Sequence, residues 1–295
     1  MTYMDDSKIW DQLLPYLEEE KPCIICKSQT FEVWAKIYYL EAKKCKSCGM
    51  ISVNPHFSDE GLKLLYNNYF KERQKNVEKK TLRDLAYVID RDWVSLFVKG
   101  GEVLDVGCSG GLFLSKFSPE HWERCGVEIA HDCSEYAQKL FDIPVYVGDI
   151  VDINLDNKFD LVMLRGTVEH LNNPISVLLK CSMLIKKNGY LYIAASPAGN
   201  SFAFEVYREK WGQFTPLEHI HFFTVKLLDR VLRNLGLGLV TFHYPYEETP
   251  YASITSDFEK IKQDIVKISQ GRRDEITGSV PFPGSVFLAL WKKVK

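Results

Sequence analysis

Apolar positions are grouped irregularly over the first hundred residues; after Gly100-Gly101 they settle into a regular alternation of short runs and longer amphipathic segments. The short runs, Val103 to Val106, Cys125 to Val127, Val145 to Val147, Leu161 to Leu164 and Tyr190 to Ala194, read as buried strands. Between them lie helix-length segments such as Cys133 to Phe141 and Ile175 to Ile185, the latter opened by Asn173-Pro174 and closed by Asn188-Gly189. This alternation predicts an α/β fold, a parallel sheet with helices on both faces. Further on, Thr224 caps a helix over VKLLDRVLRNL that Gly236 ends, and Leu237 to His243 reads as a strand. Ser256 and Glu259 form a capping-box pattern ahead of the stripe Phe258, Ile261, Ile265 and Ile268, read as core packing and ending at Gly271. The closing VFLALWKKV is a strand that the preceding PFPGS turn lets pair antiparallel.

The amino-terminal part divides differently. Residues 1–57 read as a lead helix plus a small cysteine-bearing unit with a strand over Phe31 to Leu40. Residues 58–99 read as a helical linker or cap: Ser58 could cap SDEGLKLLYNNYFKERQ, whose Leu62, Leu65 and Tyr69 share a face, and a charged helix follows through Ala86 to Val98. Residues 100–295 form the main domain, with an insertion covering the active site at about 197–224.

With 295 residues, 46% of them hydrophobic, the chain can bury one large core and a small appended unit. Thirty-seven basic against 39 acidic side chains leave a net charge of −2, so the global balance does not favour nucleic acid, although a local basic patch stays open. The acidic, amphipathic start lacks the pattern of a secretory signal, and no apolar run approaches the ~20 residues of a membrane span, which predicts a cytoplasmic protein.

Of eight cysteines, Cys108, Cys125, Cys133 and Cys181 are scattered and read as small buried hydrophobes. Cys23, Cys26, Cys45 and Cys48 are different: C-x2-C, an 18-residue gap, then C-x2-C. A hairpin across the gap would bring the pairs together as a four-sulfur zinc site. Two disulfides or four incidental thiols are the other readings; a reducing cytosol favours zinc. Four thiolates fill the coordination sphere, so the ion would be structural.

The turn in VLDVGCSGGLFL raises the question of its ligand. Its glycines, Gly107, Gly110 and Gly111, do not keep the G-x-G-x-x-G spacing of a dinucleotide site. Asp105 precedes them, awkward beside a pyrophosphate and favourable beside a cationic amino-acid group. Glu128, 23 residues later in GVEIA, stands where a carboxylate can accept both hydroxyls of a ribose. Asp149 in VYVGDI could accept from an adenine amino group, with Ile150 against the ring. Acids at three successive strand ends would share the sheet's carboxyl edge, where such folds bind ligands.

Together VLDVGCSGG, GVE, GDI, FDLVMLRGTVEHL and KKNGYLYIAASP resemble the class I S-adenosylmethionine-dependent methyltransferases, from about Val103 to the end of the chain. The resemblance implies a Rossmann-like, doubly wound, mostly parallel seven-stranded sheet and S-adenosyl-L-methionine as cofactor. It assigns Asp105, Gly107, Ser109 and Gly111 to the methionine pocket, Glu128 to the ribose and Asp149 to the adenine, with Cys108, Ile129, Ile150, Arg165 and Tyr66 as further cofactor-binding candidates. Ser109 stands where the family has a middle glycine, which a side chain tolerates only if the backbone avoids positive φ. CKSCGMISVNPHFSDEGLKLLYNNYF is similar to the zinc-ribbon leader of bacterial methyltransferases acting on sugars, surface-polysaccharide intermediates and other small metabolites. That similarity places Tyr66 and Tyr69 near the pocket mouth; packing of an amphipathic helix is the other reading.

Methyl transfer from a sulfonium expels a neutral thioether and needs no acid, whereas a hydroxyl acceptor needs a base, which contributes ~10²- to 10⁴-fold. Histidine suits neutral pH. Four of the seven histidines, His56, His121, His131 and His243, read as surface residues. His170 follows the fourth strand and either lines the site or holds its loop. In WGQFTPLEHIHFFT, alternation puts His219 and His221 on one side of an extended segment. This stretch resembles the E-H-x-x-x-F segment of zinc-containing sugar C-methyltransferases, although their further carboxy-terminal domain has no counterpart here. His219 is the first choice for base, with Glu218 orienting it; for a metal reading of His219 and His221 no third ligand is evident. The favoured function is O-methylation of a sugar or glycan-pathway small molecule. An RNA methyltransferase and a non-catalytic binding module are the alternatives, while the glycine spacing speaks against a dehydrogenase.

Overall fold

The computed structural model describes residues 7–65, 77–156, 158–195, 198–281 and 284–294. Three strands form the amino-terminal unit: β1 (Phe31–Ile37), β2 (Leu40–Cys45) and β3 (Ile51–Val53). The single strand expected over Phe31 to Leu40 is a hairpin, because the chain turns at Tyr38 with φ +51 and Leu40 pairs back on Ile37. Residues 59–65 are helical and bury Leu62 and Leu65; Tyr66 and Tyr69 lie outside the described residues. The following helix spans Val77–Ser95, earlier than expected.

The main sheet contains β4 (Gly101–Val106), β5 (Trp122–Glu128), β6 (Val145–Val147), β7 (Phe159–Arg165) and β8 (Ile185–Ala195). A two-residue strand, β9 (His221–Phe222), precedes β10 (Leu237–His243) and β11 (Phe287–Lys293). The seven-stranded order is β10-β11-β8-β7-β4-β5-β6, with β11 antiparallel to both neighbours and the remaining pairs parallel. Strand alternation explains the two faces. Leu104, Val162, Leu164, Leu191 and Ile193 enter one core with Leu178 and Leu228 from the helices Pro174–Leu184 and Val225–Asn234. Val103, Leu161, Met163 and Tyr192 enter another with Val94, Phe113 and Phe117.

The helix expected after Ser256 begins earlier, at Ile254, because the Asp257 carboxylate takes the Ser253 N–H at 2.9 Å. Its buried face also differs from the expected stripe: Asp257, Ile261 and Asp264 are buried while Phe258 and Ile265 are exposed. The two acids repay burial by accepting the hydroxyls of Tyr246 (2.9 Å) and Tyr207 (2.7 Å).

The amino-terminal unit and the 198–224 segment share one core. β3 pairs antiparallel with β9, Ile51 opposite Phe222, which makes a four-stranded sheet β1-β2-β3-β9. Trp34 of β1 stacks on Phe204 with ring centres 3.8 Å apart, and Phe214, Ile220 and Phe222 complete the cluster. His56, expected at the surface, is buried here and its Nε2–H donates to the Pro216 carbonyl at 3.0 Å. Burial holds His56 neutral, its pKa lowered to about 4. A folded-state value below the unfolded ~6.5 gives stability that is present above pH 6.5 and lost on acidification towards 4, at about 1.4 kcal/mol per pH unit. His56→Gln should therefore lose less stability than wild type between pH 6.5 and 4 in urea titrations; parallel profiles would show that His56 does not make the junction acid-labile.

Candidate active site

A cavity of about 620 Å³ opens at the carboxyl ends of β4 and β7. Asp105, near the end of β4, lines it and is 2% exposed. Its Oδ1 has no hydrogen-bond partner among the described residues. Burial pushes the carboxyl up to about 7; nearby Arg165 opposes the rise and Glu128 adds to it. Gly107 follows at φ +76, where a Cβ would lie 2.7 Å from Thr167, whose hydroxyl donates to the Val106 carbonyl at 3.0 Å. Gly111, at φ +75, lets the helix His131–Phe141 approach until a Cβ would stand 2.9 Å from that of Ala137.

Ser109 does not avoid positive φ: it sits at +49, a left-handed conformation costing a non-glycine residue about 1 kcal/mol. Its N–H donates to Glu128 Oε2 at 2.8 Å, which ties the turn to the end of β5 and offsets that cost. Only a 3₁₀ turn, Leu114–Lys116, follows, so no long helix aims its amino terminus at a phosphate here.

Glu128 accepts from Ala130 N–H (3.0 Å) as well as from Ser109, and each oxygen keeps a second lone pair. Burial raises its pKa against these donors. Asp149 is exposed after β6 and takes the Val151 N–H at 2.9 Å. Gly111, Glu128, Ile129, Asp149 and Ile150 are not among the residues lining the cavity; of these Ile129 and Asp149 are exposed, whereas Gly111 and Ile150 are buried. Ile150 cannot lie against a ring as expected, because its side chain is 3% exposed and packs with Val106 and Val127 in the core. Ile129, 51% exposed, is the aliphatic group available after β5.

Cys108, Ser109 and Arg165 line the cavity with Asp105. Arg165, at the end of β7, gives its Nε–H to Asp90 at 2.8 Å and stands 4.5 Å above the Tyr87 ring. Burial alone would depress the guanidinium, but Asp90 outweighs it and holds Arg165 charged.

The opposite wall carries histidines. His170 Nδ1 donates to the Glu218 carbonyl at 2.9 Å. His219 Nδ1 lies 2.9 Å from both the Gln213 carbonyl and the Thr215 hydroxyl; a carbonyl only accepts, so the proton is on Nδ1. The orientation of His219 is thus fixed by Gln213 and Thr215, where Glu218 was expected, while Glu218 supplies its carbonyl to His170. The two imidazole centres are 4.9 Å apart. His221 is turned elsewhere: it lies in β9, its Nδ1 faces Ser52 Oγ at 2.9 Å, and it is not among the cavity's lining residues. Burial, with His56 nearby, lowers its pKa to about 3. The alternation expected to align it with His219 fails because Thr215 to His219 closes a turn, with the His219 N–H on the Thr215 carbonyl.

A family model described as a methyltransferase domain matches residues 70–241, more than half of the chain. The chain belongs to this methyltransferase-domain family. Among curated proteins it is similar to the ubiquinone biosynthesis O-methyltransferases of Dechloromonas aromatica (27% identity, 40% of this chain and 55% of that protein) and Chromobacterium violaceum (25%, 49% and 67%). The chain thus spans about half to two thirds of these relatives' length. Among solved structures, magnesium protoporphyrin IX methyltransferase of Synechocystis with bound SAH is similar in fold (TM-score 0.55, 12% identity, 80% of this chain and 100% of that one). So is a SAM-dependent methyltransferase from Archaeoglobus fulgidus (TM-score 0.50, 22% identity, 78% and 99%).

One contact at the cavity escapes the sequence pattern: Asp90, the partner of Arg165, is one of four acids in a charged helix, with Glu78, Asp84 and Asp92. Glu169 lines the cavity beside His170. Away from the cavity, Cys23, Cys26, Cys45 and Cys48 converge: the sulfurs of Cys23 and Cys48, and of Cys26 and Cys45, are 3.5 Å apart, and all four lie within 4.8 Å. A tetrahedral zinc with bonds of ~2.3 Å needs sulfurs ~3.8 Å apart, which this cluster fits.

Proposed function

We propose that the protein is a S-adenosylmethionine-dependent methyltransferase that methylates a hydroxyl of a small molecule. The observation that carries this reading is Asp105: a buried carboxylate whose Oδ1 lacks a partner while facing a cavity is a group waiting for a cationic donor. S-adenosylmethionine would supply a methyl group on a sulfonium together with an ammonium and a carboxylate. Asp105 would hold the ammonium, and Arg165, kept charged and oriented by Asp90, would face the carboxylate. Glu128 would accept the ribose hydroxyls, with Asp149 and Ile129 at the adenine. Acceptor activation falls to the far wall, where His219 is fixed through Nδ1.

The small-molecule acceptor is supported by the similarity to ubiquinone biosynthesis O-methyltransferases and by a cavity that mixes Tyr87, Trp211 and Tyr251 with Arg83 and Gln213. A sugar or glycan intermediate remains our finer reading, from the resemblance of the ribbon leader and of Glu218-His219-x-x-x-Phe223 to sugar-modifying enzymes. We further propose that the cysteine cluster holds a structural zinc. Through β3 and β9 that ion would stabilise the segment carrying His219, at a distance from the chemistry. No helix among the described residues is long and apolar enough to cross a membrane.

Asp105→Asn should weaken S-adenosylmethionine binding by about 1.5–3 kcal/mol, roughly ten- to hundredfold, without lowering apo stability; unchanged affinity in calorimetry would remove Asp105 from the site. Because the apo carboxyl titrates at about 7, binding of an ammonium below that pH must first expel a proton, so wild-type affinity should fall up to about tenfold per unit below pH 7 and level off above it. Elemental analysis should find one zinc per chain, and chelation should lower the melting temperature and slow methyl transfer. Transfer of labelled methyl into fractionated extract should mark nucleotide-sugars or phenolic small molecules; label confined to RNA would replace the acceptor class.

A further inference from the structure

The candidate site groups His219 with two further donor side chains. Glu169, His170 and His219 each present one ligand atom, a carboxylate oxygen and two ring nitrogens, and these lie within 4.8 Å of one another on the cavity wall. We propose that these three residues bind a divalent first-row transition ion, with remaining positions open to an acceptor oxygen.

The surroundings are those of a ligand set more than of a lone base. Both histidines have Nδ1–H committed to main-chain carbonyls, Glu218 for His170 and Gln213 for His219, at 2.9 Å each. That arrangement fixes the tautomer and leaves Nε2 as the lone-pair atom, the usual outer contact of a metal-bound imidazole. The two ligand-bearing segments are also joined directly: the Ile220 N–H donates to the Glu169 carbonyl at 2.8 Å, and the His170 N–H closes the 3₁₀ turn on Thr167 at 2.9 Å. The triad is thus held by backbone from two elements before any ion arrives. Glu169 is 1% exposed and reaches the cavity wall from a buried position. Two imidazoles and one carboxylate with open positions suit Fe²⁺, Mn²⁺ or Zn²⁺ better than Mg²⁺, which prefers oxygen donors.

The proposal rests on the methyl-transfer reading and deepens it. An ion there lowers the pKa of a coordinated acceptor hydroxyl. The O–H bond breaks with its proton passing to water, the oxygen bonds the methyl carbon, and the C–S electron pair stays on sulfur. His219 then acts as a ligand, and its replacement costs activity through loss of the ion. His221 has no part, since its Nδ1 is engaged with Ser52.

Mn²⁺ is the probe, because it avoids the thiolates of the ribbon and reports by electron paramagnetic resonance. Titrating zinc-loaded, full-length protein should show one bound Mn²⁺ per chain, with binding weakened at least tenfold in Glu169→Gln, which preserves shape, and in His170→Ala. Circular dichroism and S-adenosylhomocysteine calorimetry on the same samples separate the possible failures. No Mn²⁺ binding by wild type, or equal binding by wild type and both variants, overturns the ion site while intact cofactor binding leaves the methyltransferase reading standing. Loss of cofactor binding in wild type would instead overturn that reading.

Discussion

A carboxylate kept out of water at the end of a central strand is the constraint around which this methyltransferase domain is arranged. Asp105 is held there by β4, which lies between β5 and β7 and pairs Asp105 with Gly126 and Met163. Its charge is disfavoured by burial and by Glu128, and only partly relieved by Arg165. A folded protein that tolerates such a group without a ligand gives up stability at neutral pH, and a cationic ligand returns it. Arg165 is itself unable to neutralise Asp105 fully because Asp90 and the Tyr87 ring hold it. The cavity therefore presents separated acidic and basic groups, as the proposed zwitterionic ligand requires.

The second dependence runs through the amino-terminal unit. Its β3 edge is completed by β9 of the 198–224 segment, and the Trp34–Phe204 stack joins the same two regions. Between them His56 donates to the Pro216 carbonyl, three residues before His219. The small sheet is thus tied to the segment that carries His219 by the β3–β9 pairing and by the His56–Pro216 hydrogen bond.

Much of this is legible in the sequence because strands buried on both faces leave unmistakable apolar runs, and Asp105, Glu128 and Asp149 end three of them. The C-x2-C pairs are equally plain, since their spacing encodes a local hairpin. What escapes is set by tertiary contact. Nothing local says that Ile150 turns inward while Ile129 stays out, that Asp257 and Asp264 lie on the buried face of their helix opposite tyrosines, or that the run from His219 to Phe223 begins as a turn. Asp90 is an ordinary acid until Arg165 is brought beside it. Ser109 defies the positive-φ rule only because Glu128 anchors its N–H.

The most direct measurement is a crystal structure with S-adenosylhomocysteine bound. It should show the amino group against Asp105, the ribose hydroxyls on Glu128 and the adenine beside Asp149 and Ile129. A product molecule seated elsewhere, with those three carboxylates contacting only solvent or protein, would contradict the account.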